Sequence, residues 1–131
     1  MSESALLFAT NLVKDYFDPA RGYQIAGLCE ELGVKPAGFA KLTQRKTESV
    51  AKLFSGKFVK PKEPRTRTVV RQLHQIVAVF RAMGWGKDDV SRWMNSPLVT
   101  HQGHTAVELI GQGRGQELID ELLALAIGNV G

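Results

Sequence analysis

The sequence holds one cysteine, no long apolar run and no stretch that alternates apolar and polar residues. Each absence excludes something. A single thiol, Cys29, cannot form an intramolecular disulfide, so a reducing compartment suits the chain. No segment approaches the roughly 18 apolar residues that a membrane-spanning helix needs. The start, Met1-Ser2-Glu3-Ser4, puts no positive charge before the apolar Ala5 to Ala9 and does not read as a secretory signal. Without period-two alternation, strands are not expected and an all-α fold is.

Catalytic signals are missing too. No nucleophile and base stand at a supporting spacing. Gly111-Gln112-Gly113-Arg114-Gly115 is glycine-rich but lacks the preceding strand of a dinucleotide fingerprint. The acid pairs Asp88-Asp89 and Asp120-Glu121 are adjacent in sequence, so they do not converge on one helical face. His101 and His104 share a loop with no cysteine or further histidine nearby, too few ligands for a metal site. We therefore expect no enzyme activity, no metal and no cofactor.

What is present is charge, unevenly placed. From Lys35 to Arg71 there are eleven Lys/Arg against Glu48 and Glu63, a balance of +9. From Gly86 to Gly131, six acids outnumber Lys87, Arg92 and Arg114, a balance of −3. Two surfaces with different partners are expected. The length, 131 residues, gives room for one compact domain or two small helical modules sharing a core.

Apolar spacing marks the helices. Ser4 to Tyr16 carries Leu6, Leu7 and Val13 and ends before Asp18-Pro19. Tyr23 to Leu32 carries Ile25, Leu28, Cys29 and Leu32 on one stripe, closed by Gly33. That stripe places Cys29 in the core. Pro36 to Leu42 and Thr47 to Ser55 are short helices joined by Gln44-Arg45-Lys46. Lys57 to Pro64 reads as an extended connector. Thr66 to Met83 is the longest helix, with Val69, Val70, Leu73, Ile76, Val77 and Phe80 at i, i+3, i+4 spacing. Lys87 to Met94 starts with Asp88 and Asp89, as a helix dipole prefers. Pro97 to Gly103 is a loop. Thr105 to Ile110 is a short helix, with Thr105 and Glu108 spaced as a capping box. Gln116 to Ile127 is the last helix.

The segment from Ile25 to Lys57 has helix-turn-helix grammar. In such a motif the second helix enters the major groove with its N-terminal residues at the base edges. That puts Thr47, Glu48, Ser49 and Lys52 on the reading face, with Arg45, Lys46 and Lys57 flanking the backbone. Glu48 fits either a cytosine amino group or the helix dipole. Lys60, Lys62, Arg65 and Arg67 extend the positive stripe and would add salt-dependent affinity. The alternative is a three-helix unit that is structural only.

The C-terminal third carries Trp93, Pro97, Gly103, then Thr105-Ala106-Val107-Glu108-Leu109-Ile110, Gly113, and an apolar helix from Leu118 to Gly128. This ensemble resembles the toxin-binding domain of the Xre/MbcA/ParS antitoxin family. The upstream segment, with Gly33, Val50, Gly56 and Lys60-Pro61, is similar to that family's helix-turn-helix portion. The resemblance spans about Gly22 to Gly128. Ala106 departs from it, standing where the family usually has proline.

The resemblance implies a bacterial, cytoplasmic, all-α protein. Residues 1–64 would form a helix-turn-helix-like DNA-binding region, and 65–131 a C-terminal helical toxin-binding domain. Its partner would be a RES-domain toxin, a class that consumes or transfers groups from NAD. The antitoxin would occlude the toxin's active-site entrance, form a homodimer within a larger complex, and repress its own operon through operator DNA. Residues assigned to the toxin contact are Trp93, Pro97, Gly103, Arg114, Glu117, Glu121, Ile127, Gly128 and Val130, with no membrane involved. Trp93 fits either the core or the contact. A stand-alone regulator with a dimerising C-terminal domain is the alternative.

Overall fold

The computed structural model describes residues 15–130, with backbone alone at 129 and 130. The helix expected over Ser4 to Tyr16 lies outside the described residues, except for Asp15 and Tyr16. Among the described residues there are seven α-helices: α1 (Ile25–Leu32), α2 (Pro36–Thr43), α3 (Thr47–Leu53), α4 (Pro64–Ala82), α5 (Lys87–Met94), α6 (Ala106–Gly111) and α7 (Gly115–Val130). The fold is all-α, as expected.

One correction concerns strands, which were not expected anywhere in the chain. Phe17–Asp18 (β1) pairs antiparallel with Gly22–Tyr23 (β2). Tyr23 then exchanges two backbone hydrogen bonds with Val59, each 2.8 Å. The connector after α3 is thus pinned against the hairpin. Gly22 has φ +97, and a Cβ there would strike the Val59 carbonyl. Glycine is the residue that permits both the turn and that approach. Tyr23, expected in the first helix, is held in the sheet instead. The helix begins at Ile25, where Gln24 Oε1 caps the Gly27 N–H at 2.6 Å.

The other boundaries follow local chemistry. Gly33 closes α1 in the left-handed region, φ 72, and Gln44 does the same for α2, φ 56. Pro36 and Pro64 open α2 and α4, where a missing N–H costs little. Thr105 and Glu108 form the full capping box: Glu108 N–H donates to Thr105 Oγ1 at 3.1 Å, and Thr105 N–H to Glu108 Oε1 at 2.9 Å. The expected loop from Pro97 to Gly103 contains a single 3-10 turn, Val99–His101.

α4 is the spine. Its 19 residues run about 28 Å. It packs along α7 and α1; α1 also meets α5, and α2 meets α6. Val69, Val70, Leu73, Ile76, Val77 and Phe80 are all buried, as are Leu118, Ile119, Leu122 and Leu123 of α7. Burying each such side chain is worth about 1.5–3 kcal/mol. Side chains from α1 to α3 and from α4 to α7 belong to one contiguous core. Cys29 is in it, and burial pushes its thiol up to about 12.

Candidate functional site

Three surfaces emerge from this frame. The first is the basic face. α2 and α3 are held together by the edge-on contact of Phe39 and Phe54, ring centroids 5.5 Å apart. Thr43, fully buried, turns its hydroxyl back onto the Phe39 carbonyl at 2.8 Å. This leaves Lys46, Thr47, Glu48, Lys52 and Lys57 exposed and Ser49 half-buried. Lys46 caps α3 with extended backbone. Glu48 lies in the first turn, where the helix dipole favours an acid.

Arg45 sits differently from its neighbours. It is half-buried, with Nη1 3.4 Å from Thr66 Oγ1 and 3.5 Å from Glu63 Oε2. It braces the α2–α3 turn against the start of α4. Arg65 is likewise turned inward. Its Nε donates to the Leu42 carbonyl at 3.1 Å and its Nη2 to the Gly111 carbonyl at 2.7 Å. Those carbonyls lie in the last turns of α2 and α6, which leave acceptors unsatisfied and carry negative dipole ends. One guanidinium thus fastens the α2–α3 unit to the C-terminal helices. A charge count along the sequence cannot distinguish such an arginine from a surface one.

The second surface lies on the C-terminal third. Trp93 is half-buried, edge-on to Phe80 at 5.1 Å, and Trp85 lies 4.8 Å from the same ring. Trp85, Trp93, Pro97 and Leu98 line a groove of about 560 Å³, with Asp89 and Arg92 at its rim. Trp93 therefore serves both the core and an open surface. Beside the groove, the Leu98 N–H bonds the His104 carbonyl at 2.9 Å and the Gly103 N–H bonds the Leu98 carbonyl at 3.0 Å. These bonds close the loop and project Val99 outward, 96% exposed. His101 turns the other way. It is buried, and its Nε2 meets Glu121 Oε2 of α7.

The expected toxin-facing residues are spread along this third. Trp93 and Pro97 meet in the groove, and Gly103 closes its neighbouring loop with φ +83. Glu121 anchors that loop through His101. Arg114 and Glu117 pair at the start of α7, 2.9 Å apart. Ile127 is half-buried and Gly128 exposed near its other end. Ten residues, about 15 Å of helix, separate Glu117 from Ile127. The Val130 side chain lies outside the described residues. Trp85 and Val99 were not singled out by the sequence, because neither sits on a periodic stripe.

The third surface is a groove of about 590 Å³ between the hairpin and the start of α4. Phe17 and Tyr23 form one wall, and Arg67, Thr68 and Arg71 the other, with Lys60 at the base. Further along α4, Arg81 is held by Glu31 at 2.7 Å and Asp15 at 2.9 Å. Its hydrogen bond keeps the Asp15 carboxyl below the usual range. Burial, reinforced by the bond to Glu31, pushes the Tyr16 phenol up to about 12.

This architecture is shared with a toxin–antitoxin protein. The chain superposes on a chain of the M. tuberculosis MbcT-MbcA toxin-antitoxin complex with a TM-score of 0.63. The alignment covers 80% of this chain and 92% of that one, at 21% identity. What is shown is a common fold, the one the sequence resemblance implied. No family model matches the sequence. No curated protein matches it either. Among the described residues, no helix is long and apolar enough to cross a membrane.

Proposed function

We propose that this protein is a non-enzymatic antitoxin that binds and occludes a RES-domain toxin through its C-terminal third. The observation that carries the reading is the Trp85–Trp93–Pro97–Leu98 groove with Val99 projecting beside it. Exposed apolar surface rimmed by polar groups marks a protein contact. It occurs here in a fold shared with a chain of a toxin–antitoxin complex. The acids of this third would suit a basic, nucleotide-binding cleft. Glu117, Glu121 and Arg114 would frame the contact, and the last residues of the chain, Ile127 to Gly131, would reach the cleft.

The basic face of α2 and α3 is assigned to operator DNA, bound by a homodimer that represses its own operon. Lys46, Thr47, Ser49, Lys52 and Lys57 are the contact residues, with Arg45 supporting the turn between the two helices. A stand-alone regulator is the second reading, favoured only by the exposed cations of this face.

The two readings part on one experiment. The chain is co-expressed with a RES-domain protein encoded by an adjacent reading frame. Restored growth is expected. Undiminished toxicity at matched expression would sink the antitoxin assignment.

A further inference from the structure

The groove between the hairpin and α4 gathers Lys60 and Arg67 of the positive stripe with Arg71 and gives them a common site. Lys60, Arg67 and Arg71 are exposed there, and none forms an ion pair with another described residue. Two carboxylates of the adjoining segments are occupied elsewhere: Asp18 accepts from the N–H groups of Ala20 and Arg21, and Glu63 meets Arg45. Arg67 and Arg71 stand at i, i+4 on α4, so their like charges work against the helix. Such a pair is stabilised by an anion lying across both. Thr68, on the same wall, adds a hydroxyl. Phe17 and Tyr23 opposite supply apolar ring surface, their centroids 4.8 Å apart and their planes tilted by 43°.

The position of this groove identifies the anion. Its base begins at Lys60, three residues after Lys57 at the end of the helix-turn-helix. The chain between them is fixed. Gln24 Nε2 holds the Gly56 carbonyl at 3.0 Å, and Val59 is paired with Tyr23. The cations at Lys57, Lys60, Arg67 and Arg71 therefore belong to one rigid strip leading away from α3. No acceptor or donor array suited to reading base edges lines the groove. Cations that fix position without reading sequence are what backbone contact requires.

We propose that this groove seats the phosphodiester backbone of duplex DNA flanking the site bound by α3, with Lys60, Arg67 and Arg71 as its phosphate contacts. This rests on the assignment of the α2–α3 face to DNA.

The test uses the full chain, its upstream duplex and an unrelated duplex of equal length, with binding measured by fluorescence anisotropy across a salt series. The double variant Arg67→Ala/Arg71→Ala should weaken binding to both duplexes by the same factor. It should also lower the slope of log K against log salt by about 2, one for each lost contact. Lys60→Gln, in the extended segment and so harmless to α4, should lower it by about 1. The control is Lys46→Ala/Lys52→Ala on α3. If that pair loses binding while the groove variants keep wild-type affinity and slope, the groove assignment fails and the DNA reading stands. If the wild-type chain binds neither duplex, both fail. If free ATP binds as tightly as duplex and the double variant abolishes it, the groove is a small-molecule site and the proposal is overturned.

Discussion

The Arg65 guanidinium donates to the carbonyl of Gly111, 2.7 Å away and 46 residues on in the sequence. Its Nε holds the Leu42 carbonyl in the same grip. Two helix C-termini from opposite halves of the chain thus share one cation. Arg65→Ala should lower the unfolding free energy by about 1.5–3 kcal/mol, the usual worth of hydrogen bonds to a charged group. Arg65→Lys should recover only part, because an ammonium lacks the planar fork that serves two carbonyls. Urea denaturation checks both. A loss below about 0.5 kcal/mol for the alanine variant would mean that the two units are held without it.

The capping box of α6 makes a smaller, local prediction. Thr105→Ala removes the acceptor for the Glu108 N–H and should cost about 1 kcal/mol. Thr105→Ser should be close to neutral, since the oxygen is retained. Thermal unfolding of the two variants provides the comparison.

Acid should destabilise the protein in a defined window. Asp15 is held below its ordinary value of 3.8 by Arg81, Glu108 below 4.5 by the Thr105 N–H, and Glu117 below 4.5 by Arg114. The unfolded chain therefore takes up protons before the native one does. Their stabilisation is complete above the ordinary values and is lost as pH falls through the lower native ones. The Tm should drop as pH decreases below about 4.5, and Glu108→Gln should make that drop shallower. A Tm that rises on acidification through this window would contradict the assignment.

Cys29 should be inert in the native state. It is fully buried, and its thiol is raised to about 12 by that burial. The thiolate is the reactive form. A thiol-specific reagent at neutral pH should label it only at the rate of unfolding. Rapid labelling under native conditions would show that α1 opens far more readily than its packing implies.

Much of this fold was legible beforehand, and the exceptions share a cause. The α4 stripe, the Gly33 stop and the Thr105–Glu108 cap are local patterns, set by residues three or four apart. The pairing of Tyr23 with Val59 is not local, and a two-residue strand is too short to show alternation. So Tyr23 read as helix. Charge was legible in amount and not in use: Arg45 and Arg65 counted toward a basic surface, yet both guanidinia are turned against the protein itself. His101 read as a loop residue, although its ring is buried against Glu121. At the candidate toxin surface, Trp93 and Pro97 were marked by the motif. Trp85 and Val99 were not, because their exposure is decided by how α5 and the following loop close on Phe80.

Those two residues offer a clean probe of the C-terminal groove. Val99 supports nothing in the fold, so Val99→Asp should leave the Tm unchanged. It should weaken toxin binding tenfold or more, as loss of a central apolar contact does. Trp85→Ala should do the same with a small loss of stability, from its contact with Phe80. Titration calorimetry against the toxin distinguishes these effects. Deleting residues 128–131 addresses the end of α7 in the same assay: unchanged inhibition would remove that segment from the contact.

The central claim is that this chain silences a toxin by covering its active site. The most direct measurement is NAD consumption by the proposed RES-domain partner, purified, while this protein is titrated in. Consumption should fall linearly and cease at a fixed molar ratio, and Val99→Asp should shift the curve to higher concentration. Full NAD consumption in the presence of excess folded protein would contradict the account.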